Sequence, residues 1–287
     1  MSKPPAASLA SRSRPRGAAR RGGSRLRAGR SGVVGLVPAA GSATRLGALP
    51  CSKEILPLPV RDGSRDRAGD GAAVRPVMAR LLDAFSMAGV ERAIVVVRAD
   101  KWDVPRALGT LDCGVDLAYV VIEETPSPVH SLARAVPFLG ESVVALGFPD
   151  ILFSPLDAYS ATLDRLEAGA ADVVLGLFPT DRCEKTDMVG IDDTGEEAGA
   201  VVVRELVIKQ PPRGLRYTWS IAVWRPRFTE VLVKAAAAAP RAPLHVGEVL
   251  GAAIARGLRV EGVRFDGGEY LDIGTADDLV AAMSRRW

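Results

Sequence analysis

Short apolar runs alternate along this chain with longer segments in which apolar residues recur every three or four positions. The runs have the length of buried strands, and the longer segments have the period of amphipathic helices. Strands are predicted over residues 33–37, 93–97, 117–122, 142–146, 171–177, 201–208, 217–224 and 258–265. Helices are predicted over residues 76–88, 101–108, 155–168, 228–239, 246–256 and 276–283, with another from about residue 129. This alternation predicts an α/β fold with a mainly parallel central sheet and helices on both faces.

Two polar stretches interrupt the pattern. Residues 60–75 are polar and glycine-rich, and they predict a surface loop or short hairpin inserted near the face that would hold a ligand. Residues 181–199 predict a polar meander. Thr275 immediately precedes the last predicted helix, where a threonine is expected to act as the N-cap.

The first predicted strand leads into a loop of small residues, and two cations follow it. Residues 39–43 read Ala-Ala-Gly-Ser-Ala, Arg45 comes two residues later, and Lys53 lies a short distance beyond. Small residues let a backbone approach a ligand, and consecutive N–H groups in such a turn form an anion-binding concavity. The combination predicts a phosphate site. The alternative is an ordinary strand-to-helix turn with surface cations.

Charge is distributed unevenly along the 287 residues, which carry a net charge of +3. Residues 1–31 hold nine basic and no acidic side chains, whereas the remaining 256 hold 28 basic and 34 acidic ones. The first segment predicts a disordered basic tail, and residues 32–287 form the expected catalytic domain. The tail is interpreted as solvated chain or an early start codon. An arm for nucleic acid and a transit peptide are the alternatives, and nucleic-acid binding could rest on the tail alone.

Cysteine and histidine usage excludes several classes of site. Cys51, Cys113 and Cys183 lie far apart, so neither a disulfide framework nor a zinc site is indicated. His130 and His245 are the only histidines, and a structural role is favoured for both. The longest apolar runs are far short of a membrane span. A reducing, cytoplasmic location without membrane contact is expected.

Two carboxylates and a lysine lie beyond other predicted strands. Asp150 follows the strand 142–146 and a Gly-Phe-Pro turn, and Lys209 follows the strand 201–208. Asp272 precedes Ile-Gly-Thr. Ligands of open α/β sheets collect at the carboxyl ends of the strands. Each residue alone is better explained as a turn former, a helix cap or a solvated charge, but two carboxylates near a phosphate loop suit Mg²⁺.

Four motifs, in order, resemble those of the sugar-1-phosphate nucleotidylyltransferases. LVPAAGSATRLG followed by PCSKEILPL is similar to that family's phosphate loop and the lysine beyond it. LGFPDILF stands where the family has its metal-binding aspartate, VIKQP where it has a strand ending in Lys-Pro, and YLDIGTADDL where it has its C-terminal motif. The match covers about residues 33–283. It implies a Rossmann-like nucleotidyltransferase fold.

The resemblance also implies an activity and a set of roles. The enzyme would take a nucleoside triphosphate and a sugar 1-phosphate, with dTTP or UTP and glucose 1-phosphate favoured, and form a nucleotide sugar and pyrophosphate with Mg²⁺. Arg45 and Lys53 would be catalytic, and Asp150 and Asp272 would bind the metal. The remaining implied contacts are to the nucleotide, from Ala39, Ala40, Gly41, Ser42, Thr44 and Glu123, and to the sugar phosphate, from Lys209 and Ser220.

Several positions depart from the family's pattern. Ala43 replaces the second loop glycine, and Glu123 and Pro128 stand in the base-reading segment, where Pro128 has no N–H to offer. Ser220 stands where a glycine is usual, and His245 or Glu248 would replace a sugar-contacting glutamate. These departures leave the base and the sugar open. Two alternatives remain: a catalytically weak nucleotide-sugar-binding homologue, and a cytidylyl- or guanylyltransferase with a different phosphate acceptor. A homo-oligomer is compatible with each of these activities.

Overall fold

The computed structural model describes residues 29–60, 73–109, 111, 113–197, 200–210, 214–285 and 287. Nearly all of the predicted basic tail and residues 61–72 lie outside the described residues. The strands are β1 Val33–Pro38, β2 Pro57–Val60, β3 Ala73–Pro76, β4 Arg92–Arg98, β5 Asp116–Ile122, β6 Val143–Gly147, β7 Ile151–Ser154, β8 Val173–Pro179, β9 Asp187–Glu197, β10 Ala200–Ile208, β11 Tyr217–Trp224, β12 Val260–Arg264 and β13 Glu269–Asp272. The α-helices are α1 Val77–Met87, α2 Asp103–Leu108, α3 Pro128–Ala135, α4 Ala158–Ala168, α5 Pro226–Ala238, α6 Val246–Ala255 and α7 Ala276–Met283.

Nine of these strands form one sheet in the order β5-β4-β1-β6-β11-β8-β12-β10-β9. Strands β5, β4, β1 and β6 run parallel to one another, and β12 runs parallel to β8. Strand β11 is antiparallel to both β6 and β8, and β10 is antiparallel to β12 and β9. The sheet is therefore mixed, which corrects the prediction of a mainly parallel sheet. All eight residues of β11 are buried, and a continuous apolar run does not encode strand direction.

Helices cover both faces of the sheet, as the alternating pattern predicted. On one face, Val34 and Leu36 of β1 belong to an apolar cluster that includes residues of α3, α5 and α6. On the other face, Val33 and Val37 of the same strand pack in a cluster with residues of α1, α2 and α4. Because successive side chains of a strand point to opposite faces, one apolar run supplies both clusters.

A third apolar cluster joins segments that are far apart in the sequence. We call it the C-terminal cluster, and its buried members are Leu56, Leu58, Val77, Leu152, Leu271, Ile273, Ala282 and Trp287. It packs the region around β2 against β13 and α7. Two of its elements, β7 and β13, pair with each other in a separate two-stranded sheet.

The polar stretches differ in outcome. Strands β2 and β3 pair antiparallel, and most of the surface loop or short hairpin predicted over residues 60–75 lies outside the described residues. The meander predicted over residues 181–199 is instead mostly the strand β9, which pairs with β10 and β11. Pairing in the sheet satisfies the backbone hydrogen bonds of this polar segment, and a local sequence pattern does not reveal the strands with which it pairs.

Candidate active site

The loop after β1 begins inside the sheet and leaves it in a strained conformation. The N–H of Ala39 donates to the carbonyl of Val96 on β4 at 2.8 Å, so Ala39 is still part of the core. Four residues later, Ala43 adopts a left-handed backbone with a φ of 54°. Among the described non-glycine residues only Lys209, with a φ of 44°, shares this conformation. Such strain persists where the surrounding structure imposes it, often at functional sites.

A buried ion pair lies beneath this loop. Lys101 Nζ donates to the carbonyl oxygens of Ala39 at 2.8 Å and Gly41 at 3.0 Å. It also donates to both carboxylate oxygens of Glu54, at 2.7 and 2.8 Å. Burial raises the pKa of the Glu54 carboxyl, and the Lys101 ammonium opposes that rise. The pair ties the loop to the short 3₁₀ helix Lys53–Ile55.

Two aspartates meet because β7 pairs with β13. Asp272 is the register partner of Ile151, and the N–H of Ile273 donates to the carbonyl of Asp150 at 3.0 Å. Burial raises the pKa of Asp272 to about 6, and the nearby Asp150 carboxylate contributes to the rise. Lys53 forms an ion pair with the Asp150 carboxylate. Burial acts to lower the pKa of Lys53, but the surrounding carboxylates, chiefly Asp150, outweigh burial and raise it.

A cavity of about 330 Å³ opens beside the loop. Ala40, Gly41 and Ser42 line one part of it, and residues 124–128 line another. Lys53 and Asp150 also contribute to its wall. The cavity therefore combines exposed backbone, hydroxyl groups and two cations, Lys53 and Arg98, which are groups that bind a nucleotide.

A second cavity, of about 490 Å³, lies on the other side of the aspartates. Its lining includes Arg45, Lys209, Ser220 and Asp272. The Oγ of Ser220 is buried and has no hydrogen-bond partner within the described residues. Since Asp150 lines the first cavity and Asp272 the second, the aspartate pair stands between them.

The structure thus brings most of the predicted site residues together, and it places three of them elsewhere. Ala39 is buried below the loop and offers its carbonyl to Lys101. Thr44 is exposed in the 3₁₀ helix Thr44–Leu46, and Glu123 is exposed after β5. Neither is among the residues that line the two cavities, whereas Glu124 lines the first.

Both histidines have partners that fix the backbone. His130 is hydrogen-bonded to the Oγ of Ser127 and to the carbonyl of Ala239, each at 2.8 Å. His245 precedes α6, and its N–H donates to the carboxylate of Glu248 at 2.7 Å. His245 and Glu248 hold the start of a helix and do not line the larger cavity.

Lys101 and Glu54 are the main site residues that the sequence reasoning missed. The signal for Lys101 was its place just after a buried strand, which is the reasoning already applied to Lys209. Glu54 directly precedes the apolar stretch 55–58, and a carboxylate that is buried together with such a stretch requires a partner. Arg98, at the end of β4, also lines the smaller cavity and was not predicted.

Comparison with known proteins was made by family model, by sequence and by structure. No family model and no curated protein matches the chain. A protein from Bacillus anthracis, assigned as a glucose-1-phosphate thymidylyltransferase and solved with sucrose, superposes with a TM-score of 0.73 at 17% identity, covering 88% of this chain and 94% of the other. The chain has the fold of that thymidylyltransferase structure. The fold implied by the sequence motifs is therefore confirmed.

Two further structures share this nucleotidylyltransferase fold. A UTP-bound UGPase from Acinetobacter baumannii has a TM-score of 0.68 at 16% identity, covering 88% of this chain and 92% of that one. A UDP-glucose pyrophosphorylase complexed with UDP-glucose has a TM-score of 0.67 at 16% identity, covering 88% and 97%. Each described helix of this chain is too short or too polar to span a bilayer.

Proposed function

We propose that the protein joins a nucleoside triphosphate to a sugar 1-phosphate and releases pyrophosphate. The observation that carries the proposal is the position of Lys53, Asp150 and Asp272 between two cavities. One cavity borders a small-residue loop suited to a nucleotide, and the other presents Lys209, which suits an anionic acceptor. The fold shared with structures described as a thymidylyltransferase and as pyrophosphorylases supports the same chemistry.

The proposed reaction is a single in-line displacement at phosphorus. An oxygen of the sugar phosphate attacks the α-phosphorus, and the bond from that phosphorus to the oxygen bridging the β-phosphate breaks. Pyrophosphate leaves with the bonding electrons, and no covalent enzyme intermediate forms. Catalysis then consists of positioning and charge stabilisation. Lys53 stabilises charge at the α-phosphate, Arg45 holds the β- and γ-phosphates, and Lys209 with Ser220 holds the sugar phosphate.

The two aspartates are proposed as the protein ligands of Mg²⁺. Their carboxylates are hard oxygen donors, and their mutual repulsion, which contributes to the raised pKa of Asp272, would be relieved by a cation. No cluster of three or more metal-ligating side chains occurs among the described residues. Substrate phosphates and water would complete the coordination, which is usual for Mg²⁺. The ion would neutralise charge on the phosphate groups.

For the base, dTTP or UTP is proposed, and for the acceptor, glucose 1-phosphate. Thr125, Ser127 and Ser131 line the nucleotide cavity, and their hydroxyl oxygens, whose protons are used in hydrogen bonds within this segment, can accept hydrogen bonds from a pyrimidine edge. Pro128 lines the same wall without an N–H. The structures solved with UTP and with UDP-glucose support this choice by fold only.

Pyrophosphate release tests the proposal. Purified protein with Mg²⁺ would be given dTTP, UTP, CTP, GTP or ATP against a panel of sugar 1-phosphates, with glucose 1-phosphate first. Release that requires both a nucleotide and a sugar phosphate is expected. Asp150→Asn should abolish it in folded protein, whereas Asp157→Asn, at an exposed carboxylate without a capping bond, should not.

Other outcomes would redirect the proposal. Unchanged turnover by Asp150→Asn would remove that residue from the metal site. No release from folded protein that binds a nucleotide sugar would favour a binding homologue without catalysis. Release with CTP or GTP alone would replace the proposed base.

A further inference from the structure

Lys101 has no hydrogen-bond donor left for a substrate. Its ammonium carries three protons, and four oxygen atoms lie within 3.0 Å of its Nζ. The residue is 7% exposed. Because all of its protons are used in these hydrogen bonds, Lys101 fixes the positions of the groups it binds. These are two carbonyl groups of the loop and the carboxylate of Glu54.

The held carbonyls fix the direction of two peptide groups. In a trans peptide the C=O and the N–H of the same group point in opposite directions, and these peptides are trans. The carbonyl of Ala39 shares its peptide with the N–H of Ala40, and that of Gly41 with the N–H of Ser42. Because Lys101 binds both carbonyls from one side, both N–H groups are directed away from the ammonium.

Those two N–H groups have no other use in the described chain. Ala40 and Ser42 both line the 330 Å³ cavity. Neither N–H donates to a backbone carbonyl among the described residues. Two aligned and unused N–H groups on a cavity wall form an anion-binding concavity.

We propose that Lys101 is a positioning residue that turns the N–H groups of Ala40 and Ser42 toward the phosphate groups of the nucleotide. The inference rests on the proposed function, which supplies the nucleotide. Glu54 balances the buried charge of Lys101, and it is adjacent in sequence to Lys53. The same ion pair therefore fixes the loop and the turn that carries Lys53 relative to each other.

Inorganic pyrophosphate is the probe that tests the inference, since it needs no base and no turnover. Lys101→Met alone would leave Glu54 buried without a partner, which can prevent folding. The test variant is therefore the double change Glu54→Leu and Lys101→Met, because an apolar pair of similar volume commonly replaces a buried ion pair without loss of stability. Lys234→Met, at an exposed lysine on α5 that pairs with Glu230, is the matched control.

Calorimetry with Mg²⁺ and pyrophosphate should show binding weakened about ten- to a hundred-fold in the double variant, which corresponds to losing one or two hydrogen bonds to a charged group. The control should bind like the wild type. With any substrate pair that turns over, KM for the nucleotide should rise while KM for the acceptor stays unchanged.

Two results would overturn the inference. One is a folded double variant that binds pyrophosphate as tightly as the wild type. The other is an equal rise in both KM values, which would indicate a general loss of structure. Failure of the proposed function has a different signature: wild-type protein binds pyrophosphate yet releases none from any substrate pair. Weaker pyrophosphate binding by the double variant would then still support the inference.

Discussion

At the scale of single residues, Lys53 is fixed by one ion pair and lies next to a residue of another. It is paired with Asp150 in the structure and is adjacent to Glu54, which is bound by Lys101. The side chain is therefore held at the junction of the two cavities before substrate arrives. Such preorganisation is what makes a charged donor effective in catalysis.

We expect Lys53→Met to lower kcat for pyrophosphate release by about 10²–10³-fold, the usual cost of removing one preorganised donor. The reason is loss of positive charge where the α-phosphate would carry developing charge. Steady-state assays at saturating substrates would measure it, with Lys234→Met as the exposed control. A kcat within two-fold of the wild type would exclude the assigned role.

Asp187, at the start of β9, gives a prediction about pH. Burial raises the pKa of its carboxyl, while Lys209, His245 and Trp219 counteract part of the rise. The folded protein then binds this proton more tightly than the unfolded chain, so stability falls as pH rises from about 4 through the raised value. Asp187→Asn should remove that fall. Thermal unfolding from pH 4 to 7 should show the variant gaining stability relative to the wild type.

A matched aspartate should behave in the opposite way. Although burial opposes it, hydrogen bonds from the N–H and Oγ of Ser52 lower the pKa of Asp103. Asp103→Asn should therefore lose stability relative to the wild type as pH rises. Parallel stability curves for wild type and both variants would contradict the two assignments.

At the scale of elements, α7 begins at a cap that the sequence already indicated. Thr275 Oγ1 accepts from the N–H of Asp278 at 3.3 Å, and the N–H of Thr275 donates to the Asp278 carboxylate at 3.0 Å. We expect Thr275→Ala to lower the free energy of unfolding by about 1 kcal/mol, the typical value of an N-cap. Urea denaturation would measure the loss. Ser284→Ala, at the exposed end of the same helix, should change stability by less than about 0.5 kcal/mol.

Helices with a clear apolar periodicity were predictable from the sequence, whereas short strands that depend on pairing with a distant strand were not. The helices over residues 77–87, 246–255 and 276–283 lie within a few residues of their predicted positions, because an apolar stripe every three to four residues belongs to one element. Strands β7 and β13 have four residues each, too few for a period to show. Their pairing brings Asp150 and Asp272 together, so the sequence supplied both aspartates and the order of motifs but not the contact.

The smaller cavity shows the same limit. The loop after β1 was recognisable from its small residues and from Lys53, which are local in sequence. Lys101 is about 60 residues away and reaches the loop only because β4 lies beside β1. The position of Lys101 after a buried strand was visible in the sequence. Its contact with the loop after β1 depended on the order of the strands in the sheet, which was not.

At the scale of the whole molecule, the C-terminal cluster connects the halves of the site. Leu58 belongs to it and is 1% exposed, so Leu58→Ala should lower the free energy of unfolding by about 2–5 kcal/mol through lost burial and a cavity. Val280→Ala, at a side chain that is 66% exposed, should change it by less than about 0.5 kcal/mol. Equilibrium unfolding in urea would compare them. If Leu58→Ala lowered the free energy of unfolding as little as Val280→Ala, the C-terminal cluster would contribute little to stability.

The same cluster also sets an order of events during synthesis. Lys53 emerges from the ribosome before its neighbour Asp272, which is held by β13 and by a cluster that includes Trp287. A nascent chain that ends before residue 269 already has the small-residue loop and one aspartate, yet it lacks the second. The two cavities therefore acquire their common acidic wall only after residue 272 has been translated, so a chain released before that residue contains the loop without the complete pair of aspartates.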